Sequence, residues 1–130
     1  MINLIATDMD GTLLNAEREI DVEFFEILKH LRSKNILVVL ASGREYNSLV
    51  NLVPKEYRNE LIFACNNGNY IEFQGETLFE SYIDKSMFEK LISKLESIED
   101  LKVLMSTKNS IFTNSMQNYF IYKLKGQKIT

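Results

Sequence analysis

The feature that most constrains the fold is an unbroken aliphatic run, Ile36–Leu40. A strand with one face in water alternates apolar and polar residues, whereas a parallel strand covered on both faces is apolar throughout. The run therefore predicts a parallel strand buried beneath helices. An amphipathic helix is predicted before it, with Asp21 as its N-cap. The apolar face of that helix consists of Phe24, Phe25, Ile27, Leu28 and Leu31.

Two other apolar segments predict strands that complete this layer. Ile2–Thr7 predicts a buried first strand, and Leu61–Cys65 predicts a buried third strand. Between the second and third strands, a helix is expected to begin at Ser42 and to run to about Val53, where Pro54 ends it. This order of elements predicts an α/β fold, a doubly wound βαβαβ unit with right-handed crossovers.

The remaining pattern predicts a hairpin and then a second unit. Tyr70–Phe73 and Thr77–Glu80 flank a turn and favour a β-hairpin. After Ile83, Asp84 is a candidate cap for an amphipathic helix, which is followed by two short strand candidates. We expect residues 1–83 to form the α/β unit and residues 84–130 to form a small α+β element. The two strand candidates are Leu101–Met105 and Ile111–Thr113.

Composition excludes several classes of function. With 15 basic and 18 acidic residues the formal net charge is -3, and no basic stripe is present to attract nucleic acid or an anionic membrane. The longest apolar run, Ile36–Ala41, is far shorter than the roughly 20 residues of a membrane span. No targeting segment is evident, and the single Cys65 cannot form an internal disulfide. We therefore expect a cytoplasmic protein.

The sharpest chemical signal is the segment Asp8–Thr12 after the first strand. Ligands of open parallel sheets bind outside the carboxyl ends of the strands. There, the carboxylates of Asp8 and Asp10 can share Mg²⁺, while one attacks phosphorus and the other transfers a proton. Gly11 permits a tight turn, and Thr12 can donate to a phosphoryl oxygen. The alternative interpretation is an ordinary polar turn leaving a strand.

Residues Ile5–Leu14 resemble motif I of the haloacid dehalogenase superfamily, close to its Cof-type, type IIB branch of sugar-phosphate phosphatases. The resemblance implies a Rossmann-like core and a Mg²⁺ cofactor. It also implies that Asp8 is the nucleophile that becomes an aspartyl phosphate. Asp10 matches the general acid/base, and its backbone carbonyl would also bind the magnesium ion. The implied metal ligands are thus Asp8 and Asp10.

Two later segments extend the resemblance. Val38–Arg44 is similar to motif II, in which a Ser or Thr after the strand, here Ser42, binds the phosphoryl group. Ser42 is alternatively a plain helix N-cap, and Arg44 a solvated residue of the first turn. Asn66–Asn69 is similar to the Asn-Gly-Ala stretch of Cof-type proteins, and alternatively a turn that requires positive φ. The implied phosphate or substrate contacts are Gly11, Thr12, Ser42, Gly43, Arg44 and Asn67.

The resemblance is strong in residues 1–83, and residues 84–130 would match the opening of the cap domain that selects the leaving group. Family members carry a Lys and an acidic pair further along the chain, and nothing after Ile83 matches these motifs. The sequence therefore resembles the N-terminal half of such an enzyme. A sheet that ended after three strands would leave an exposed edge, through which we expect self-association.

The resemblance implies a magnesium-dependent phosphatase that hydrolyses small phosphomonoesters, with sugar phosphates as the expected substrates. One alternative is a truncated, non-catalytic chain that binds phosphate or a partner half. Another is a phosphomutase of the same superfamily, which shares the Asp-x-Asp-Gly-Thr start. A receiver domain is disfavoured because its phosphorylated Asp, which follows the third strand, would be Asn66 here.

Overall fold

The computed structural model describes residues 2–113, which contain a five-stranded sheet with flanking helices and a separate two-stranded sheet. The larger sheet has the order β1-β2-β3-β4-β5, and β6 pairs with β7. The strands are β1 Leu4–Asp8, β2 Leu37–Ala41, β3 Leu61–Cys65, β4 Tyr70–Phe73, β5 Glu76–Glu80, β6 Leu104–Ser106 and β7 Ile111–Thr113. The helices are α1 Val22–Ser33, α2 Tyr46–Val50 and α3 Lys85–Glu96, with 3₁₀ turns at Lys55–Glu60 and Asn66–Gly68.

The first three strands are parallel and in register at their carboxyl ends. Asp8 lies opposite Ala41 on β2, and Ala41 lies opposite Ala64 on β3. The predicted α/β unit is therefore confirmed, as is the predicted hairpin. The hairpin also continues the sheet, because β4 pairs antiparallel with β3. The outer strands of the described sheet are accordingly β1 and β5, and self-association through such an edge stays a prediction.

The core lies between this sheet and the helices α1 and α2. Leu28 of α1, Leu40 of β2 and Leu49 of α2 are completely buried. Helix α1 begins where predicted, since the Asp21 carboxylate accepts a hydrogen bond of 2.9 Å from the amide of Glu23. No helix among residues 2–113 has the length and apolar character to cross a bilayer.

Two expectations about these elements were wrong. Strand β1 is not buried: Leu4 is 51% exposed and Ile5 is 38% exposed. An apolar run shows that a strand favours burial, but β1 is an outer strand of the described sheet and receives less cover than β2. Helix α2 begins at Tyr46 instead of Ser42, because a carboxylate described below caps it there, and it ends at Val50 instead of Val53.

The small α+β element predicted for residues 84–130 is present in part. The Asp84 carboxylate caps α3 by accepting from the amide of Met87 at 3.0 Å, and β7 has the predicted bounds. Strand β6 begins at Leu104, three residues later than predicted. The predicted element extends over residues 114–130, which lie outside the described residues, and the division at Ile83 stays a prediction.

We predict that Leu28→Ala lowers the free energy of unfolding by about 2–5 kcal/mol, because it removes a buried side chain and leaves a cavity. Ile27→Ala is the matched control on the same helix. Ile27 is 50% exposed, so the loss there should stay below about 1 kcal/mol. Urea unfolding followed by circular dichroism measures both values. Equal losses at the two positions would contradict the placement of the core.

Candidate active site at the carboxyl ends of three strands

Three loops meet where the parallel strands end, and backbone hydrogen bonds hold two of them together. The amide of Ser42 after β2 donates to the carbonyl of Ala64 at 2.9 Å. In return, the amide of Asn67 after β3 donates to the carbonyl of Ser42 at 3.0 Å. The amide of Asn66 donates to the carbonyl of Arg44 at 2.9 Å. The strand register therefore brings the predicted site residues to one edge of the sheet.

The loop after β1 presents two exposed aspartates around a tight turn. Asp10 has φ −75° and ψ 117°, and Gly11 has φ 80° and ψ 3°. These are the dihedral angles of the two central residues of a type II turn, in which the second must have positive φ. The amide of Leu14 closes the loop by donating to the carbonyl of Met9 at 2.9 Å. Gly11 thus has the conformational role expected from the sequence.

Arg44 binds the Asp10 carboxylate with two hydrogen bonds. Its Nε donates to Oδ2 at 2.9 Å, and its Nη2 donates to Oδ1 at 2.6 Å. This bidentate, charge-assisted arrangement fixes the plane of the carboxylate, and it raises the pKa of the Arg44 guanidinium. The Arg44 side chain is only 7% exposed, so the alternative of a solvated residue is wrong.

Ser42 does not lie at a helix start, so the expected start of α2 at Ser42 and the alternative of a plain helix N-cap are both wrong. The N-cap of α2 is Glu45, whose Oε2 accepts from the amide of Asn47 at 2.7 Å and whose Oε1 accepts from that of Ser48 at 2.9 Å. Glu45 is completely buried, and its carboxylate occupies the end of the helix where an anion would otherwise bind. Ser42 Oγ instead accepts from the amide of Arg44 at 3.1 Å, which leaves the hydroxyl proton available for donation.

The loop after β3 confirms the predicted turn with positive φ. Asn66, Asn67 and Gly68 have φ values of 50°, 57° and 86°. Asn67 also lies directly against the loop after β2, since a Cβ atom on Gly43 would come within 3.0 Å of Asn67 Oδ1. The glycine at position 43 therefore permits the two loops to approach each other. Both Gly43 and Asn67 are exposed at the edge where Asp8 lies.

The oxygen ligands at this edge suit a magnesium ion. Mg²⁺ prefers carboxylate and carbonyl oxygens, keeps several waters and needs only one or two carboxylates. The Asp8 carboxylate and the Asp10 carbonyl meet that requirement, while the Asp10 carboxylate binds Arg44. Among residues 2–113, no group of three His, Cys, Asp or Glu side chains is placed to hold a metal ion.

Two features of this region were not predicted. One is the capping role of Glu45, which residue preferences do not predict because Asn, Asp, Ser and Thr are the favoured N-cap residues. The other is the loop between β6 and β7, whose Lys108 carbonyl accepts from the amide of Tyr46 at 2.9 Å. No local pattern could have predicted that contact, because it joins distant parts of the chain. A cavity of about 610 Å³ lies beside this loop, with Gly43, Asn67 and Phe88 in its lining.

We predict that Cys65 in the native protein resists thiol reagents. It is completely buried at the end of β3, and burial, together with the charges of Glu45 and Glu72, raises the pKa of its thiol to about 12. At pH 8 the reactive thiolate is therefore scarcer and less accessible than in an unfolded chain. Labelling with an aromatic disulfide reagent should be slow in buffer and complete in urea. Fast labelling of the native protein would contradict this environment.

Comparison with known proteins places these observations in a family. A family model described as haloacid dehalogenase-like hydrolase matches residues 5–130. The 5-amino-6-(5-phospho-D-ribitylamino)uracil phosphatase YbjI of Escherichia coli is 31% identical over 113 residues, which are 86% of this chain and 41% of that protein. The chain thus spans less than half the length of this relative.

Solved structures agree with the sequence comparison. SMU.1108c from Streptococcus mutans matches with a TM-score of 0.82 and 27% identity, over 96% of this chain and 48% of that one. The subclass IIB sugar phosphatase BT4131 matches with a TM-score of 0.73 over 98% of this chain and 50% of that one. At 21% identity, the second match shows a shared fold.

Proposed function

Because this chain belongs to the haloacid dehalogenase-like hydrolases, we propose that it acts as a magnesium-dependent phosphatase and forms an aspartyl phosphate on Asp8. The expected substrates are small phosphomonoesters of the cytoplasm, sugar phosphates among them. The observation that carries the proposal is the position of Asp8 and Asp10 at the carboxyl end of β1, beside the loop of Ser42 and Arg44. The phosphatase named above among the relatives supports the reaction class.

The proposed reaction has two displacement steps at phosphorus. In the first, an Asp8 carboxylate oxygen bonds to phosphorus while the ester bond breaks, and the departing oxygen takes a proton from Asp10, which in this step is protonated on one oxygen and bound to Arg44 through the other. In the second, Asp10 takes a proton from a water molecule that attacks phosphorus, and the bond to Asp8 breaks. Inorganic phosphate and the original Asp8 carboxylate result. When bound to the Asp8 carboxylate and the Asp10 carbonyl, magnesium supplies charge neutralisation for the phosphoryl group.

Other residues at this edge are assigned to holding the phosphoryl group. The Ser42 hydroxyl keeps its proton for donation because its oxygen accepts from the amide of Arg44. The amides of the loop after β1 can donate as well, and Thr12 adds a hydroxyl group. Gly43 and Asn67 are exposed beside Ser42 and are suited to contact the part of the substrate that leaves. Arg44 contributes through Asp10, since its guanidinium binds that carboxylate.

A second candidate function is phosphate binding, or binding of a partner polypeptide, without turnover. The observation that favours it is the small ligand set, since residues 2–113 bring no third acidic side chain to Asp8 and Asp10. A chain of this kind would bind inorganic phosphate at the same edge and release it unchanged. The two candidates therefore differ in turnover and agree in the location of the site.

We predict that the purified chain hydrolyses 4-nitrophenyl phosphate only when magnesium is present, and that Asp8→Asn lowers kcat by about 10³-fold or more. The amide removes the attacking oxygen anion and preserves the size of the side chain. Asp21→Asn is the matched control because asparagine caps a helix as well as aspartate does. Absorbance of the released nitrophenolate measures turnover, and circular dichroism confirms the fold of each variant.

Each outcome of this experiment is decisive. Retained turnover in Asp8→Asn would contradict the nucleophile assignment, and turnover in the presence of a metal chelator would contradict the role of magnesium. A folded wild-type chain that binds phosphate without turnover would favour the second candidate.

A further inference from the structure

The loop between β6 and β7, residues Thr107–Ser110, is fastened to the core by the side chain of Asn66. Ser106 Oγ donates to Asn66 Oδ1 at 2.5 Å, and Asn66 Nδ2 donates to the carbonyl of Thr107 at 2.9 Å. The amide group of Asn66 therefore acts as acceptor and as donor toward this one region. The same side chain could not make both bonds if it ended in a carboxylate.

The backbone of Asn66 contacts the candidate active site, whereas its side chain contacts the β6–β7 loop. Its N–H donates to the carbonyl of Arg44 at 2.9 Å, and the guanidinium of Arg44 binds both carboxylate oxygens of Asp10. One residue thus touches the β6–β7 loop and the residue that orients Asp10. A displacement of Asn66 would change the position of Arg44, whose side chain is buried and closely confined.

The seated loop has further anchors on α2 and β4. The amide of Tyr46 donates to the carbonyl of Lys108 at 2.9 Å, and Asn47 Nδ2 donates to the carbonyl of Asn109 at 3.3 Å. The ammonium group of Lys108 lies 4.4 Å from the centre of the Tyr70 ring, within the range of a cation–π interaction. The loop therefore has one defined position on the core, and Asn66 lies between this loop and Arg44.

We propose that Asn66 is a positioning residue that couples the seating of the β6–β7 loop to the orientation of the Asp10 carboxylate. The proposal rests on the proposed function in one respect, the role of Asp10 as general acid/base. A purely structural explanation is that asparagine occurs here because the turn requires φ of 50°. Glycine separates the two explanations, since it accepts positive φ and makes no side-chain hydrogen bond.

The experiment compares Asn66→Gly with the same substitution at another asparagine of positive φ. That control is Asn35→Gly, where φ is 60° at the end of α1, next to the amino end of β2 and thus at the opposite edge of the sheet. Two NMR signals are followed in both variants. Exchange of the Tyr46 amide proton reports whether the loop is seated, and exchange of the Arg44 Nε proton reports the bond to Asp10.

In Asn66→Gly both protons should exchange about tenfold faster or more, because local opening that releases the loop also releases Arg44. Both rates should stay unchanged in Asn35→Gly. Unchanged rates in Asn66→Gly would overturn the proposal. Faster exchange at Tyr46 with an unchanged Arg44 proton would overturn it too, since the loop would then be seated by Asn66 without any coupling.

A second variant keeps the proposal testable if Asn66→Gly does not fold. Ser106→Ala removes the hydrogen bond from Ser106 Oγ to Asn66 Oδ1 and leaves residue 66 intact. It should therefore increase the exchange rates of both protons, by a smaller factor than Asn66→Gly does. If neither proton exchanged faster in Ser106→Ala, the proposed coupling would be overturned. Because these measurements report geometry and not turnover, they can fail while the phosphatase proposal stands, and the reverse also holds.

Discussion

The parallel register of β1, β2 and β3 is the constraint on which the candidate site depends. With Asp8 opposite Ala41, and Ala41 opposite Ala64, the loops that follow the three strands begin at the same height. A shift of one residue would turn every side chain of a strand to the other face of the sheet. The burial of Val38 and Leu40 on one face of β2 opposes such a shift. Packing energy in the core therefore fixes the geometry of the polar edge.

Two carboxylates at this edge are held in different ways, and the contrast explains which one is available for chemistry. Glu45 is completely buried and accepts from the first amides of α2, so it serves the helix. The side chain of Asp10 is 56% exposed, and Arg44 binds its carboxylate. The first arrangement satisfies a helix end, whereas the second orients an acid that still faces solvent. Asp8 is exposed and directly precedes this pair along the chain.

The sequence predicts those features of the fold and of the candidate site that depend on interactions between residues close together in the chain. Periodicity located α1, β2, β3 and the hairpin, because apolar spacing reflects the geometry of each element. The Asp8–Thr12 motif located the polar edge because it follows a predicted strand, and ligands of parallel sheets bind at the carboxyl ends of the strands. The exposure of β1, the late start of α2 and the seat of the β6–β7 loop were not predicted. Each depends on which element lies beside another, and residues 41 positions apart, such as Asn66 and Thr107, carry no mutual signal in a single sequence.

Mass spectrometry can show whether Asp8 receives the phosphoryl group during turnover. The chain is mixed with magnesium and 4-nitrophenyl phosphate, quenched in acid during turnover and digested. We predict that the peptide containing Asp8 gains the mass of one phosphoryl group, and that hydroxylamine removes this group as expected for an acyl phosphate. A phosphoryl group on another peptide, or one that resists hydroxylamine as a Ser42 ester would, contradicts the account.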